Sequence, residues 1–201
     1  MEKALAEVIA GAPPRLIFCE HAPVFTTGTS AEADEILNPG AIPVIPTGRG
    51  GKTTYHGPGQ RVVYPLLPLP SHDLRAYIGR LQHWLIAVLA DLGLAGQTTD
   101  DIGVWVPLSR LRPPGYSEPS SGSLREEGEM AKIAAIGIRV RKWVAYHGIA
   151  LNVNPDMAAF RRIRPCGLDK PVTSLHALGL KTTMDEVDIL LKSHAPRYLL
   201  P

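Results

Sequence analysis

Between residues 71 and 92 the sequence sets Leu74, Tyr77, Ile78, Leu81, Leu85, Val88, Leu89 and Leu92 at steps suited to one side of a helix. Ser71 offers an N-cap and Gly93 a natural stop. The stripe reads as a core-facing surface, and a helix this long has to cover something of matching length. Short strands lying side by side supply it, and runs at 15–20, 42–46, 61–67, 102–106, 132–144 and 146–153 read as such strands. Further helices are expected at 2–9, ending at Gly11 with Leu5, Val8 and Ile9 inward, and at 155–163. A last one starts at Thr183, with Asp185 and Glu186 in its first turn and Val187, Leu190 and Leu191 buried. The pattern predicts an α+β fold, a mixed β-sheet flanked by helices.

The length of 201 residues suits one domain over 1–201. Residues 107–130 are rich in Pro, Ser, Gly and Glu and read as a flexible insertion without a core of its own. A net charge of +2 is too small to argue for nucleic acid. Cys19 and Cys166 lie far apart, which builds neither a disulfide scaffold nor a zinc site. The first residues carry charges and meet prolines before any long apolar run, so neither a signal peptide nor a membrane span is expected. A cytoplasmic protein with reduced thiols follows as the expectation.

Three places invite chemistry. GRGGKTTYHGPGQ at 48–60 is a glycine-rich loop carrying Arg49, Lys52 and His56; it matches neither GxxxxGK[ST] nor GxGxxG. A mobile surface loop and an ordered wall around a ligand both fit it. Cys166 sits in RRIRPCGLDK, a Pro-Cys-Gly turn near Arg161, Arg162, Arg164 and Lys170. Positive charge there favours thiolate, the nucleophilic form, although a cysteine taken at random is more often a packing residue. Cys19, between Phe18 and Glu20, needs only a packing role. Lys132 heads KIAAIGIRVR; in a regular strand it shares a face with Ala134, Ile136, Ile138 and Val140, while Gly137, Arg139 and Arg141 face solvent. Apolar walls disfavour its charged form and suit a base, and snorkelling to water is the competing reading. His147, in an apolar strand, is more often structural than catalytic.

Taken together, HAPVFTTG at 21–28, RGGKTTYHGPGQ at 49–60, KIAAIGIRV at 132–140, YHGIALNV at 146–153 and RPCGLDKPVTSL at 164–175 resemble the octanoyltransferases of lipoate biosynthesis. The resemblance implies the fold of biotin and lipoate protein ligases. It puts Cys166 on the family's acyl-thioester cysteine and Lys132 on the lysine that activates it. Arg49, Gly50, Gly51, Lys52, Thr53, Thr54, Tyr55 and His56 fall on the positions lining the acyl and pantetheine site. So do Ala135, Ile136, Gly137, Gly148, Ile149 and Ala150. It implies no metal and no cofactor. The implied donor is octanoyl-acyl carrier protein, and the acceptors are lipoyl domains of 2-oxoacid dehydrogenase E2 subunits and the glycine cleavage H protein. No nucleic acid or membrane partner is implied, and a monomer is expected. The segment before His21 is short for that family and 107–130 is long, departures that leave the five blocks intact. Within the same fold, an ATP-dependent lipoate or biotin ligase is the competing activity. A binding-only paralogue and a cysteine hydrolase using His147 or His56 are the others.

Overall fold

The computed structural model describes residues 1–108, 130–164 and 170–200. The insertion expected at 107–130 therefore falls, apart from its ends, outside the described residues, and so does Cys166. Two sheets form where one was expected. The larger has five antiparallel strands in the order β1-β5-β8-β7-β6: β1 (Arg15–Cys19), β5 (Gln60–Pro68), β6 (Val104–Pro107), β7 (Met130–Arg141) and β8 (Val144–Asn152). The smaller is the mixed one, with β2 (Val24–Thr27) parallel to β3 (Val44–Pro46) and antiparallel to β4 (Thr54–His56).

One face of the large sheet carries α2 (Leu74–Asp91) and α4 (Met184–Leu199), and this is where the main core lies. Tyr77, Leu81, Leu85, Val88 and Leu89 of the expected stripe are buried there. Leu74 is exposed, and Trp84, which the stripe omits, is buried with its Nε1 donating to the Leu191 carbonyl at 2.9 Å. The helix is capped by Asp73 and not by Ser71, since Asp73 accepts from the Ala76 amide at 2.9 Å. His72 just before it sits in the left-handed region (φ 52°), so the chain turns sharply there before the helix can begin. α4 starts with a full capping box, Thr183 and Glu186 each bonding the other's backbone amide.

The opposite face of the sheet is shared. α1 (Glu2–Ile9) packs Leu5 and Val8 against Leu66, Val144 and Tyr146. Beside it lies the three-stranded sheet, whose far side joins α3 (Met157–Phe160) through Phe25, Tyr55, Phe160 and Ile163. No helix among the described residues is long and apolar enough to cross a membrane.

One irregularity governs the placement of Lys132. Val104 pairs with Ala134, but Trp105 pairs with Lys132, so β7 carries Ile133 as an extra residue. A bulge of this kind shifts the alternation by one. Lys132 thereby lands on the face of Ala135 and Gly137, opposite to that expected from regular alternation, while Ile133 and Ala134 both enter the helix-side core.

Trp84→Ala should cost about 3–5 kcal/mol through loss of the buried ring. It would be read as a lower urea midpoint at unchanged slope. An unchanged midpoint would show that α2 and α4 do not depend on this contact.

Candidate active site

Pairing of β7 with β8 sets Ala135 opposite Ala150 and Gly137 opposite Gly148. All four border the face away from α2 and α4, where two pairs of small residues leave room above the sheet. The three-stranded sheet roofs the resulting trough with Val24 and Thr26 from β2, Ile45 from β3, and Thr54 and His56 from β4. Between the two sheets lies a cavity of about 430 Å³, within the range of small-molecule sites. Ile136 and Ile149 border it from the strands while belonging to the helix-side core.

Gly148 is dictated by close approach. A Cβ there would collide with the Val63 carbonyl and, at 2.6 Å, with Pro65 Cδ. Its neighbour His147 lies in the left-handed region (φ 58°), a costly conformation for a side chain of this size. The kink brings His147 to the cavity although the odd residues Ala145, Ile149 and Leu151 of β8 face the helices. Its ring stands edge-on to Tyr64 and stacks on Tyr146. The packing role expected for His147 is thus joined by a place in the cavity wall.

The glycine-rich loop closes one side as an ordered wall. Gly50 donates to the Ile138 carbonyl at 3.0 Å, and a Cβ on Gly137 would crowd the Gly50 carbonyl. Arg49 is buried, its guanidinium held by the Thr26 carbonyl at 2.6 Å and the Thr26 hydroxyl at 2.8 Å. Burial, together with the charge of Arg49, lowers the His147 pKa. Burial also lowers that of His21 and brings His56 to about 4, so the imidazoles of the cavity favour the neutral form. Lys52 pairs with Glu32 at 2.6 Å and Glu35 at 3.2 Å. Glu35, itself buried, accepts from the Thr53 amide at 2.7 Å. Burial by itself would raise the Glu35 pKa, but its contacts with Thr53 and Lys52 outweigh it and hold the carboxyl below its ordinary value.

Lys132 borders the cavity and is 6% exposed, with its Nζ 5.0 Å from the centre of the Trp105 ring. Gly103, at φ 143°, makes room for it: a Cβ there would meet Lys132 Cε at 2.5 Å. Its backbone is clasped by the segment that follows 165–169, donating to the Pro171 carbonyl at 2.8 Å and accepting from the Thr173 amide at 2.9 Å. On the other side of 165–169, Arg164 donates to the Glu35 carbonyl at 2.7 Å. Lys170 pairs with Asp101 and lies 5.3 Å from the same Trp105 ring. Cys166 itself lies outside the described residues, yet the described chain on both sides of it is tied to elements around this cavity.

Of the residues expected at the site, Arg49, Gly51, Lys52, Thr54, His56, Lys132, Ala135, Ile136, Gly137, Gly148, Ile149 and Ala150 border one cavity. Gly50, Thr53 and Tyr55 do not. Thr53 is an anchor on Glu35, and strand alternation turns Tyr55 into the core behind β4. Sequence reasoning missed His21, Thr26, Thr47, Val62 and Tyr64, which also border it. His21 Nε2 lies 2.7 Å from the Tyr64 hydroxyl. Alternation along β5 would have found Val62 and Tyr64; nothing in the sequence marked Glu35. Among the described residues no group of three His, Cys, Asp or Glu is placed to hold a metal ion.

The family described as "Lipoyl protein ligase A/B catalytic domain" matches residues 1–195. The chain is similar to the octanoyltransferase of Rhodopseudomonas palustris, 44% identical over 200 residues, 96% of this chain and 79% of the relative. It is 46% identical to the octanoyltransferase of Parvibaculum lavamentivorans over 197 residues, 96% of this chain and 81% of that one. Among solved structures it resembles the bipartite lipoate protein ligase of Thermoplasma acidophilum, with a TM-score of 0.72 and 16% identity over 94% of this chain and 72% of that one. That likeness speaks to the fold alone.

The depressed Glu35 pKa gives a stability term present at neutral pH, which starts to fall near the unfolded value of about 4.3 and is gone beneath the folded value. Glu35→Gln should cost on the order of 1–3 kcal/mol at pH 7 and flatten the wild type's loss of stability in that acid window. Identical acid-unfolding curves for the two proteins would contradict the anchoring role.

Proposed function

Since the chain belongs to the lipoyl protein ligase A/B catalytic-domain family, and its relatives across nearly all its length are octanoyltransferases, it is an acyltransferase of lipoate biosynthesis, and we propose that it works through an acyl-thioester on Cys166. The observation that carries this reading is the convergence of the glycine-rich loop, both small-residue strand segments and Lys132 on one cavity. Its acceptors are lipoyl-domain proteins. The donor is an octanoyl thioester of acyl carrier protein, and the enzyme acts as a cytoplasmic monomer.

The Cys166 sulfur attacks the thioester carbonyl and expels the carrier's thiolate. Lys132 Nζ takes the thiol proton and returns it to the leaving sulfur. One thioester is exchanged for another, so the step is nearly balanced and calls for no nucleotide. A lysine amine of the lipoyl domain then attacks the acyl group, an amide forms, and the Cys166 thiolate is released. Lys132 receives the proton lost by the amine. The alkyl tail lies in the trough of Ala135, Gly137, Gly148 and Ala150, where each buried methylene is worth about 0.8 kcal/mol.

The test is transfer from octanoyl-acyl carrier protein to a lipoyl domain without ATP. Amide on the lipoyl-domain lysine is the expected product; free octanoate would indicate a hydrolase and an absolute need for ATP a ligase. Lys132→Ala should lower the rate of enzyme acylation about 100-fold or more near neutral pH. Acylation of that variant at the wild-type rate would refute the role. Shortening the acyl chain by one methylene should lower kcat/KM roughly four-fold per step. Ala135→Leu should abolish that preference by filling the trough, and a preference surviving the substitution would place the tail elsewhere.

A further inference from the structure

His56 ends β4 with its ring at the cavity, and its Nδ1 lies 2.6 Å from Gln60 Oε1. The surroundings decide which atom is which. The Gln60 amide nitrogen is 3.2 Å from the Tyr55 carbonyl, which can only accept, so the NH₂ group must be there. The same nitrogen donates to Asn152 Oδ1 at 2.9 Å. Asn152 in turn donates from Nδ2 to the Thr173 carbonyl at 2.9 Å, again an acceptor only. Two backbone carbonyls thus orient both amides and leave an acceptor oxygen against His56. Nδ1 must therefore carry the hydrogen, and in a neutral ring Nε2 is then a bare lone pair.

Gln60 and Asn152 are almost fully buried, where a half-satisfied network is costly, so the orientation is held firmly. Burial lowers the His56 pKa to about 4 against the opposing effect of the Gln60 bond. Arg49 in the glycine-rich loop, His21 between β1 and β2, and His147 on β8 further disfavour a charge on it. His56 Nε2 has no hydrogen-bond partner among the described residues. The relay also reaches the base: the Thr173 amide donates to the Lys132 carbonyl at 2.9 Å, next to the carbonyl that Asn152 holds.

We propose that Gln60 and Asn152 are positioning residues that fix His56 as the Nδ1–H tautomer, so that its Nε2 accepts a hydrogen bond from a substrate N–H group in the cavity. This rests on the acyl-transfer reading, in which both substrates bring such a group. The donor's pantetheine arm carries amide N–H groups, and the acceptor is an amine.

Two substitutions separate the acceptor from its anchor. In His56→Gln the side-chain oxygen can reach the place of Nε2, whereas in His56→Asn the amide nitrogen takes the place of Nδ1 and keeps only the bond to Gln60. Acylation by octanoyl-pantetheine and discharge of the acyl-enzyme to a lipoyl domain are timed separately. His56→Asn should lose about ten-fold or more in at least one step, and His56→Gln should recover most of it. A loss confined to acylation identifies the pantetheine amide, and one confined to discharge identifies the amine. Equal rates in all three proteins, or a faster Asn than Gln variant, would overturn the proposal.

Gln60→Glu supplies a second readout. A carboxylate beside Nδ1 raises the ring's pKa, and the protonated ring donates from both nitrogens. The affected step should therefore slow as pH falls toward about 6.5, a limb wild type lacks there. A profile coincident with wild type would refute the tautomer lock. Should Gln60→Glu fail to fold, the His56 pair still decides. Wild type that never becomes acylated would sink the acyl-transfer reading, whereas normal wild type with insensitive variants sinks only the relay.

Discussion

Everything about the site depends on two adjacent strands giving up their side chains on one face. Ala135 against Ala150 and Gly137 against Gly148 bury almost nothing of their own, and ordinary cross-strand pairs there would fill the space the roof encloses. The missing packing is supplied on the other face, where Ile133, Ala134, Ile149 and Leu151 join the core under α2 and α4. The sheet is therefore stabilised from one side and hollow on the other. A second small sheet is needed because a bare trough must be covered to exclude water, and β2, β3 and β4 provide that cover while closing a core of their own around Phe25 and Tyr55.

The roof and floor are tied by polar groups. Arg49 is buried against Thr26, Gly50 bonds the Ile138 carbonyl, and Glu35 holds the loop at Thr53 while its own carbonyl receives Arg164. These contacts serve electrostatics as well as shape. Burial, with the Arg49 guanidinium adding to it, favours the neutral forms of His56 and His147. The bulge at Ile133 turns Lys132 toward this cavity, and Trp105 and Gly103 define the slot its side chain occupies.

Much of this was legible in the sequence because it is local. Helical periodicity gave α2, the Thr183–Glu186 pair gave the start of α4, and the glycine-rich loop with the two small-residue segments gave most of the cavity wall. What failed was long-range or irregular. A single extra residue in β7 reversed the face of Lys132, and no periodicity argument anticipates a bulge set by the partner strand. Tyr55 shares a block with residues of the cavity wall, yet alternation between Thr54 and His56 sends it to the other side. Glu35 and Tyr64 act through partners 18 and 43 residues away, a distance that pattern alone does not bridge.

The proposed chemistry turns on a covalent acyl-enzyme at Cys166, formed without nucleotide. Intact-protein mass after mixing with octanoyl-acyl carrier protein, for wild type and Cys166→Ser, tests it most directly. One octanoyl adduct is expected on wild type, none on the variant, and loss of the adduct when a lipoyl domain is added. An adduct of the same size on Cys166→Ser, or none on wild type unless ATP is supplied, would contradict it.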